Sequence, residues 1–303
     1  MVVKKKAENV VISSANEGQR VDNFLISYIK NVPKKHVYKL IRTGQVRING
    51  SRSKPSTKLN INDSVRIPPF TTTESLKPNI SSEILKKTIK QIIYEDEELI
   101  VFNKPSSFSV HSGSNMGYGL IDIVRKMKKS YERIDLLHRL DKDTSGCIII
   151  TKSLKTLKAL QKKLQNNEIQ KKYICLVKGN WDKKIKDSKI ILSRNKKNYE
   201  AITSFKVINS YRNTTLLEVD LITGRHHQIR KHCASLNFPI IGDSKYGDNN
   251  INTEYKKKGL NRIFLHSYSI QFNLRKKNYF KCPLPNELDD FLKKHKWIYS
   301  LIF

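Results

Sequence analysis

No stretch of this chain approaches the roughly 20 consecutive apolar residues that cross a bilayer. The lysines between Met1 and Val11 are not followed by an apolar core of signal-peptide length, so a cytosolic protein is expected. Cysteine is scarce as well. Cys147, Cys175, Cys233 and Cys282 stand far apart, with no C-x-x-C pair for zinc or dithiol chemistry, and read as reduced thiols packed in the fold. Internal repeats are missing, and so are low-complexity tracts apart from lysine-rich patches. The largest deficit is of acid: 27 Asp and Glu face 58 Lys and Arg, a net charge of +31. That excess is larger than solubility needs and has the sign that draws phosphate backbones, which makes a polyanion the natural partner. Abundant lysine can reflect coding bias, but bias alone does not place the charges. Here they recur inside patterned segments, at Lys34, Lys35, Lys39 and Arg42 and again at Arg225, Arg230 and Lys231, so nucleic acid is favoured over a membrane surface.

With 303 residues and 38% apolar content, the chain can build one sizeable core and a small module. Residues 1–16 read as a tail. Within 17–69, Val21, Phe24, Leu25, Tyr28 and Ile29 recur at helical spacing, and Pro33 opens a second short helix. In that helix Val37, Leu40 and Ile41 face inward while Lys35, Lys39 and Arg42 share the outer side, and Gly44 suits the position after its last turn. Strands at Val46 to Ile48 and Ser64 to Ile67, with an Asn49-Gly50 turn, complete an α-α-β module that ends at Pro68-Pro69. Residues 70–83 are polar and aperiodic and read as a linker. From 84 to 303, β-branched and aromatic runs outnumber helical patterns, the latter falling at Gly119 to Lys128, Leu154 to Gln165 and His227 to Ser235. Few helices among many short strands predict an α+β domain around a mixed, mainly antiparallel sheet.

One polar block stands out, His138-Arg139-Leu140-Asp141-Lys142-Asp143-Thr144-Ser145-Gly146, fenced by Leu136-Leu137 and by Cys147-Ile148-Ile149-Ile150. It reads as a tight connection between buried strands, where a rigid scaffold can present a carboxylate, and Asp141 is the candidate. Taken alone, the same residues are equally ordinary turn formers, with Arg139 and Asp141 or Asp143 as a solvated ion pair.

The block closely resembles the H-R-L-D-x-x-T-S-G segment of the large-subunit ribosomal RNA pseudouridine synthases. Four more segments follow the same order. Asn103-Lys104-Pro105 with Val110-His111 resembles N-K-P-x-G-x-x-V-H, with Ser107 where the family has Gly. Lys171-Lys172-Tyr173 resembles K-x-Y, Thr223 to His232 resembles T-G-R-x-H-Q-I-R-x-H, and Leu265-His266 resembles the L-H pair of N-R-x-x-L-H-A. Arg20 to Pro68 is similar to the small S-four-type RNA-binding domain. The resemblance implies that Asp141 is the nucleophile, that Arg230 is the cation paired with it, and that Tyr173 stacks on the flipped uracil and is a candidate to remove its carbon 5 proton. It implies that Arg139 braces the gap left by the base, that Leu265 packs against the site, and that His138 and Arg225 contact substrate. Lys35, Lys39 and Arg42 would hold RNA phosphates.

Isomerising uridine involves neither net redox change nor hydrolysis, so no cofactor and no metal are expected, and a carboxylate nucleophile can divide the reaction into two easier steps. His226, His227 and His232 lie within seven residues, but metal ligation would need them to converge on one point, and no nearby Asp, Glu or Cys is expected to complete a set. Within the family the motifs most resemble a subtype acting on several uridines near the peptidyl transferase centre of 23S RNA, either free or in a large-subunit precursor. A sibling subtype is the runner-up, and a monomer is expected. The rivals are a nonenzymatic RNA-binding assembly factor and a metal-dependent nuclease using Asp141 and Asp143.

Overall fold

The computed structural model describes residues 2–29, 32–73, 80–111, 117–128, 130–131, 133–194 and 197–297. They form two compact units, Met1–Ile80 and Ser81–Phe303.

The first unit contains β1 (Val2–Lys5), β2 (Glu8–Val11), α1 (Val21–Tyr28), α2 (Lys34–Arg42), β3 (Arg47–Ile48), β4 (Ser51–Arg52), β5 (Ser64–Ile67) and β6 (Phe70–Thr73). Val21, Phe24 and Leu25 of α1 pack on Val37, Leu40 and Ile41 of α2 in one buried cluster, as their spacing predicts. Lys35, Lys39 and Arg42 lie exposed on the far side of α2. Asn49 and Gly50 both take positive φ, 50° and 80°, the combination that a two-residue hairpin of this hand demands between β3 and β4. Residues 1–16 are more than a tail. β2 pairs with β5, and β1 pairs with β6, which lies inside the stretch expected to be linker. The lysines of β1 and the consecutive threonines of β6 conceal the alternation by which a strand is recognised. Residues 74–79 of the expected linker lie outside the described residues.

The second unit runs α3 (Ser82–Ile89), β7 (Ile92–Glu95), β8 (Leu99–Lys104), α4 (Leu120–Met127), β9 (Asp135–Leu136), β10 (Ser145–Thr151), α5 (Leu154–Gln165), β11 (Gln170–Lys178), β12 (Asp187–Arg194), β13 (Lys197–Tyr211), β14 (Thr214–Leu221), α6 (Gln228–Ser235), α7 (Asn249–Lys257), β15 (Leu265–Leu274), β16 (Lys276–Lys281) and α8 (Asn286–Lys294). Its strands form one mixed sheet with the order β12-β13-β14-β11-β15-β10-β8-β7, in which β10 and β15 run parallel and the other pairs antiparallel. Both faces of its middle are covered. Ile148 and Ile150 of β10, with Tyr173, Cys175 and Val177 of β11, join Ile121 and Val124 of α4 and Ile229 and Cys233 of α6 in one cluster. The alternate residues Cys147 and Ile149 join Leu157 and Leu160 of α5, while Ile174 and Leu176 meet Leu288, Phe291 and Leu292 of α8. Double burial is why these strands read as unbroken apolar runs. The four cysteines are buried free thiols.

This topology gathers the site. The parallel pairing sets Ser145, at the start of β10, opposite His266, and the antiparallel pairing sets Tyr173 of β11 opposite Ser267. The loop before β10, the start of β15 and the start of β11 therefore meet at mid-sheet. Gly146 makes the junction possible: its φ is +114°, and an added Cβ would lie 2.1 Å from the Ser267 carbonyl oxygen. Gly146→Ala should lower the urea midpoint of unfolding by clearly more than Gly259→Ala, whose φ is +104° but whose Cβ would meet nothing within 4 Å. The difference between the two, on the order of 1–3 kcal/mol, measures the steric clash alone.

Candidate active site

The loop carrying Asp141 is pinned from three directions. Within the loop, the Thr144 amide donates to the Asp141 carbonyl at 3.2 Å. From β8, fully buried Lys104 donates to the carbonyls of Pro105 and Phe108, both at 2.9 Å, and to that of Lys142 at 3.0 Å. Burial and the nearby Arg262 lower the Lys104 ammonium to about 7. Ser107, standing where the family has Gly, keeps the glycine-like backbone at φ 62°, so the turn survives with some local strain. From before β15, Arg262 donates to the Asp143 carbonyl at 3.2 Å and to the Ser145 hydroxyl at 2.8 Å. Because a guanidinium can only donate, Ser145 must pass its own proton to His266 Nδ1, 2.9 Å away. His266 Nε2–H then donates to the Cys282 carbonyl at 3.1 Å. The ring is neutral, held to about 4 chiefly by burial.

Around the Asp141 carboxylate stand a group from α6 and one from the residue just before it. Arg230 Nη1 lies 3.8 Å from one oxygen and His227 Nε2 lies 3.7 Å from the other. Burial first, and Arg230 among the neighbouring cations, lower His227 to about 4, so at neutral pH Arg230 is the charged partner. Arg230 itself is clamped by Asp243, with Nε and Nη2 each 2.7 Å from a carboxylate oxygen. The expected pairing of Arg230 with Asp141 thus exists as a longer contact, and the tight two-point bond goes to Asp243. His227 sits at φ 55°, with Nδ1 3.1 Å from the Tyr246 hydroxyl.

Tyr173 and Leu265 are 4% and 3% exposed and line the same small pocket as Asp141, Arg139, Arg225, His227 and Arg230. Burial pushes the Tyr173 phenol well up, so its deprotonated form, the one that would take a proton from carbon 5, is scarce at neutral pH. Arg139 and Arg225 are exposed at the rim, the latter with its guanidinium over the Tyr199 ring. His138 is turned to the scaffold: its Nε2 accepts the Ile149 amide at 3.3 Å, and burial, then Lys171, lower it to about 3. Lys35, Lys39 and Arg42 belong to the first unit.

Residues 98–235 match the family model described as RNA pseudouridylate synthase, and residues 19–65 match the S4 domain model. A protein of Pasteurella multocida named ribosomal large subunit pseudouridine synthase C is 37% identical over 285 residues, covering 89% of this chain and 87% of that protein. Its namesake in Escherichia coli is 36% identical over 279 residues, covering 87% and 88%, and that of Buchnera aphidicola subsp. Baizongia pistaciae is 42% identical over 286 residues, covering 88% and 90%. The chain belongs to the RNA pseudouridine synthase family. The fold is shared with the solved structure of human RNA pseudouridylate synthase domain containing 4, with a TM-score of 0.60 at 22% identity, covering 71% of this chain and 96% of that one.

For a synthase, several supporting residues escaped the sequence reading. Lys104, inside a matched motif, and Asp243, beyond the Thr223 to His232 segment, are buried ionic groups. Gln228, 2% exposed, accepts from the Thr223 hydroxyl and the Arg225 amide while donating to β13 at Ile202 and Thr203, which fixes the loop before α6. The sequence also hid a third ligand-type group near the histidines. Asp141, His226 and His227 place ligand atoms within 4.8 Å of one another, whereas His232 lies buried on α6. Arg230 faces the same carboxylate from 3.8 Å, and its positive charge would oppose a divalent ion there.

Asp243 is held below its ordinary value although burial opposes this, because Arg230 and the amides of Tyr246 and Lys245 bond the charged form. That stability is fully present above the unfolded value of about 3.9 and is lost as pH falls through the lower folded value. Asp243→Asn should cost about 3 kcal/mol by urea unfolding at pH 7 and should flatten the acid side of the stability profile, since Arg230 is left buried without its carboxylate.

Proposed function

We propose that this synthase isomerises specific uridines of 23S ribosomal RNA, several of them near the peptidyl transferase centre, on free RNA or on a large-subunit precursor, and that it acts as a cytoplasmic monomer. The observation that carries the reading is a half-buried carboxylate, Asp141, facing a clamped guanidinium in a pocket walled by Tyr173 and Leu265. The names and cover of the C-type relatives support the substrate class. No helix among the described residues is long and apolar enough to cross a membrane.

In this mechanism the target uridine leaves its stack, and Arg139 at the rim braces the space it vacates. Tyr173 and Leu265 sandwich the uracil. The Asp141 carboxylate attacks and carries one half of the substrate covalently while the bond between ribose and nitrogen 1 breaks; the uracil turns, carbon 5 joins the ribose, and as carbon 5 gives up its proton and nitrogen 1 gains one the bond to Asp141 breaks, freeing the carboxylate. Arg230 orients the nucleophile and balances its charge. Tyr173, its phenol pushed up by burial, stacks on the uracil and lies beside the carbon 5 that loses its proton. Lys35, Lys39 and Arg42 add phosphate contacts without entering the chemistry.

Wild type incubated with unmodified 23S RNA in EDTA should give new carbodiimide-dependent reverse-transcription stops, and Asp141→Ala should reduce their rate on the order of 10⁴-fold or more. Magnesium-dependent cleavage of the RNA, with no pseudouridine formed, would favour the nuclease reading instead. Replacing Lys35, Lys39 and Arg42 together by Ala should raise KM and flatten the plot of log affinity against log salt by about 2, leaving kcat near wild type.

A further inference from the structure

Beside the target pocket lies a second, larger cavity that the proposed chemistry does not use. It measures about 740 Å³ against about 70 Å³ for the pocket at Asp141, and the two share Arg139, Tyr173, Leu221, Gly224 and Arg225 as a common wall. Lys171 lines the larger one and is 7% exposed. Among the described residues no carboxylate pairs with it, and burial alone lowers its ammonium to about 8. Gly224 borders the amine: a Cβ there would stand 3.6 Å from Nζ. A buried cation without a counter-ion is costly, and such a group persists where a ligand supplies the missing charge.

The other charged groups facing the cavity are accounted for. Asp135 is taken by Arg125 and Arg133, His138 by the Ile149 amide, and burial and the two arginines Arg139 and Arg125 keep His111 below its ordinary value. Exposed Arg139 and Arg225 add positive charge at the mouth. Gln161 and Gln165 of α5 offer amides, and Leu136 and Leu157 give an apolar surface. The volume lies within the roughly 300–1,000 Å³ typical of small-ligand sites.

We propose that this cavity is a second nucleotide subsite, in which Lys171 binds the phosphate of an unpaired nucleotide next to the target uridine. The inference rests on the synthase reading and deepens it: RNA choice would come partly from a flanking nucleotide drawn out of the helix together with the target. Lys171 is a positioning residue here, acting on the substrate backbone and not on the reacting bond.

The test measures binding of a fluorescent single-stranded pentauridylate to the full chain, comparing wild type with Lys171→Met and Lys171→Arg at pH 7 and pH 9. At pH 7 Lys171→Met should bind about tenfold more weakly, with a salt slope less steep by about 0.7. The gap should close at pH 9, where the wild-type ammonium has lost its proton, and Lys171→Arg should keep its affinity at both pH values. Lys171→Met should also melt higher than wild type, because an unpaired buried charge is gone. Equal binding and equal slope at pH 7, or a lower melting temperature with unchanged binding, would overturn the subsite. Failure of the synthase reading would appear separately, as wild type leaving no pseudouridine in 23S RNA while the binding difference stands.

Discussion

A dry guanidinium shared between two carboxylates is the interaction on which the site depends. Arg230 cannot shed its proton, so once buried it must be matched, and Asp243 matches it with two parallel bonds. Asp243 is fixed in turn by the Lys245 and Tyr246 amides. The remaining nitrogen of Arg230 is thereby aimed at Asp141 at 3.8 Å, close enough to orient the carboxylate but without a tight bond that would blunt it in its proposed role as nucleophile. A substrate carbon can approach an oxygen held in this way.

The sheet supplies the other half of the arrangement. A loop so rich in turn formers would move if only its own hydrogen bonds held it. It is instead tied by ammonium and guanidinium donors from β8 and from the segment before β15, and it leads into a strand buried on both faces. Packing energy in the core is in this way converted into precision at a partly exposed carboxylate. The parallel pairing of β10 with β15 matters for the same reason, since it puts Leu265 and the Asp141 loop at one end of neighbouring strands.

Much of this could be read from the residues, though not evenly. α1 and α2 were legible because their apolar residues recur every three to four positions, and the central strands because double burial makes them uniformly apolar. Asp141, Tyr173, Arg230 and Leu265 were legible as motif members, and the structure brings them to one pocket. β1 and β6 were hidden by lysine and threonine, and α7 by its polar composition, although Asp248 caps it by accepting the Asn250 and Ile251 amides. The second, tighter partner of Arg230 was missed for a deeper reason. Sequence order does not say which of two nearby carboxylates takes the bidentate bond, and that is settled by the burial of Asp243 in the turn after Gly242. The same limit hid the cavity at Lys171, because a lysine in a basic chain looks like surface until its burial is known.

The most direct test of the account is to identify the residue that becomes bonded to RNA during the reaction. Incubation with RNA in which 5-fluorouridine replaces uridine blocks loss of the group on carbon 5 and should trap the covalent complex, whose digested peptides can be sequenced by mass spectrometry. The account predicts one RNA-linked peptide, modified at Asp141, and no adduct with Asp141→Asn. An adduct at any other residue, or one that persists in Asp141→Asn, would contradict the assignment of the nucleophile.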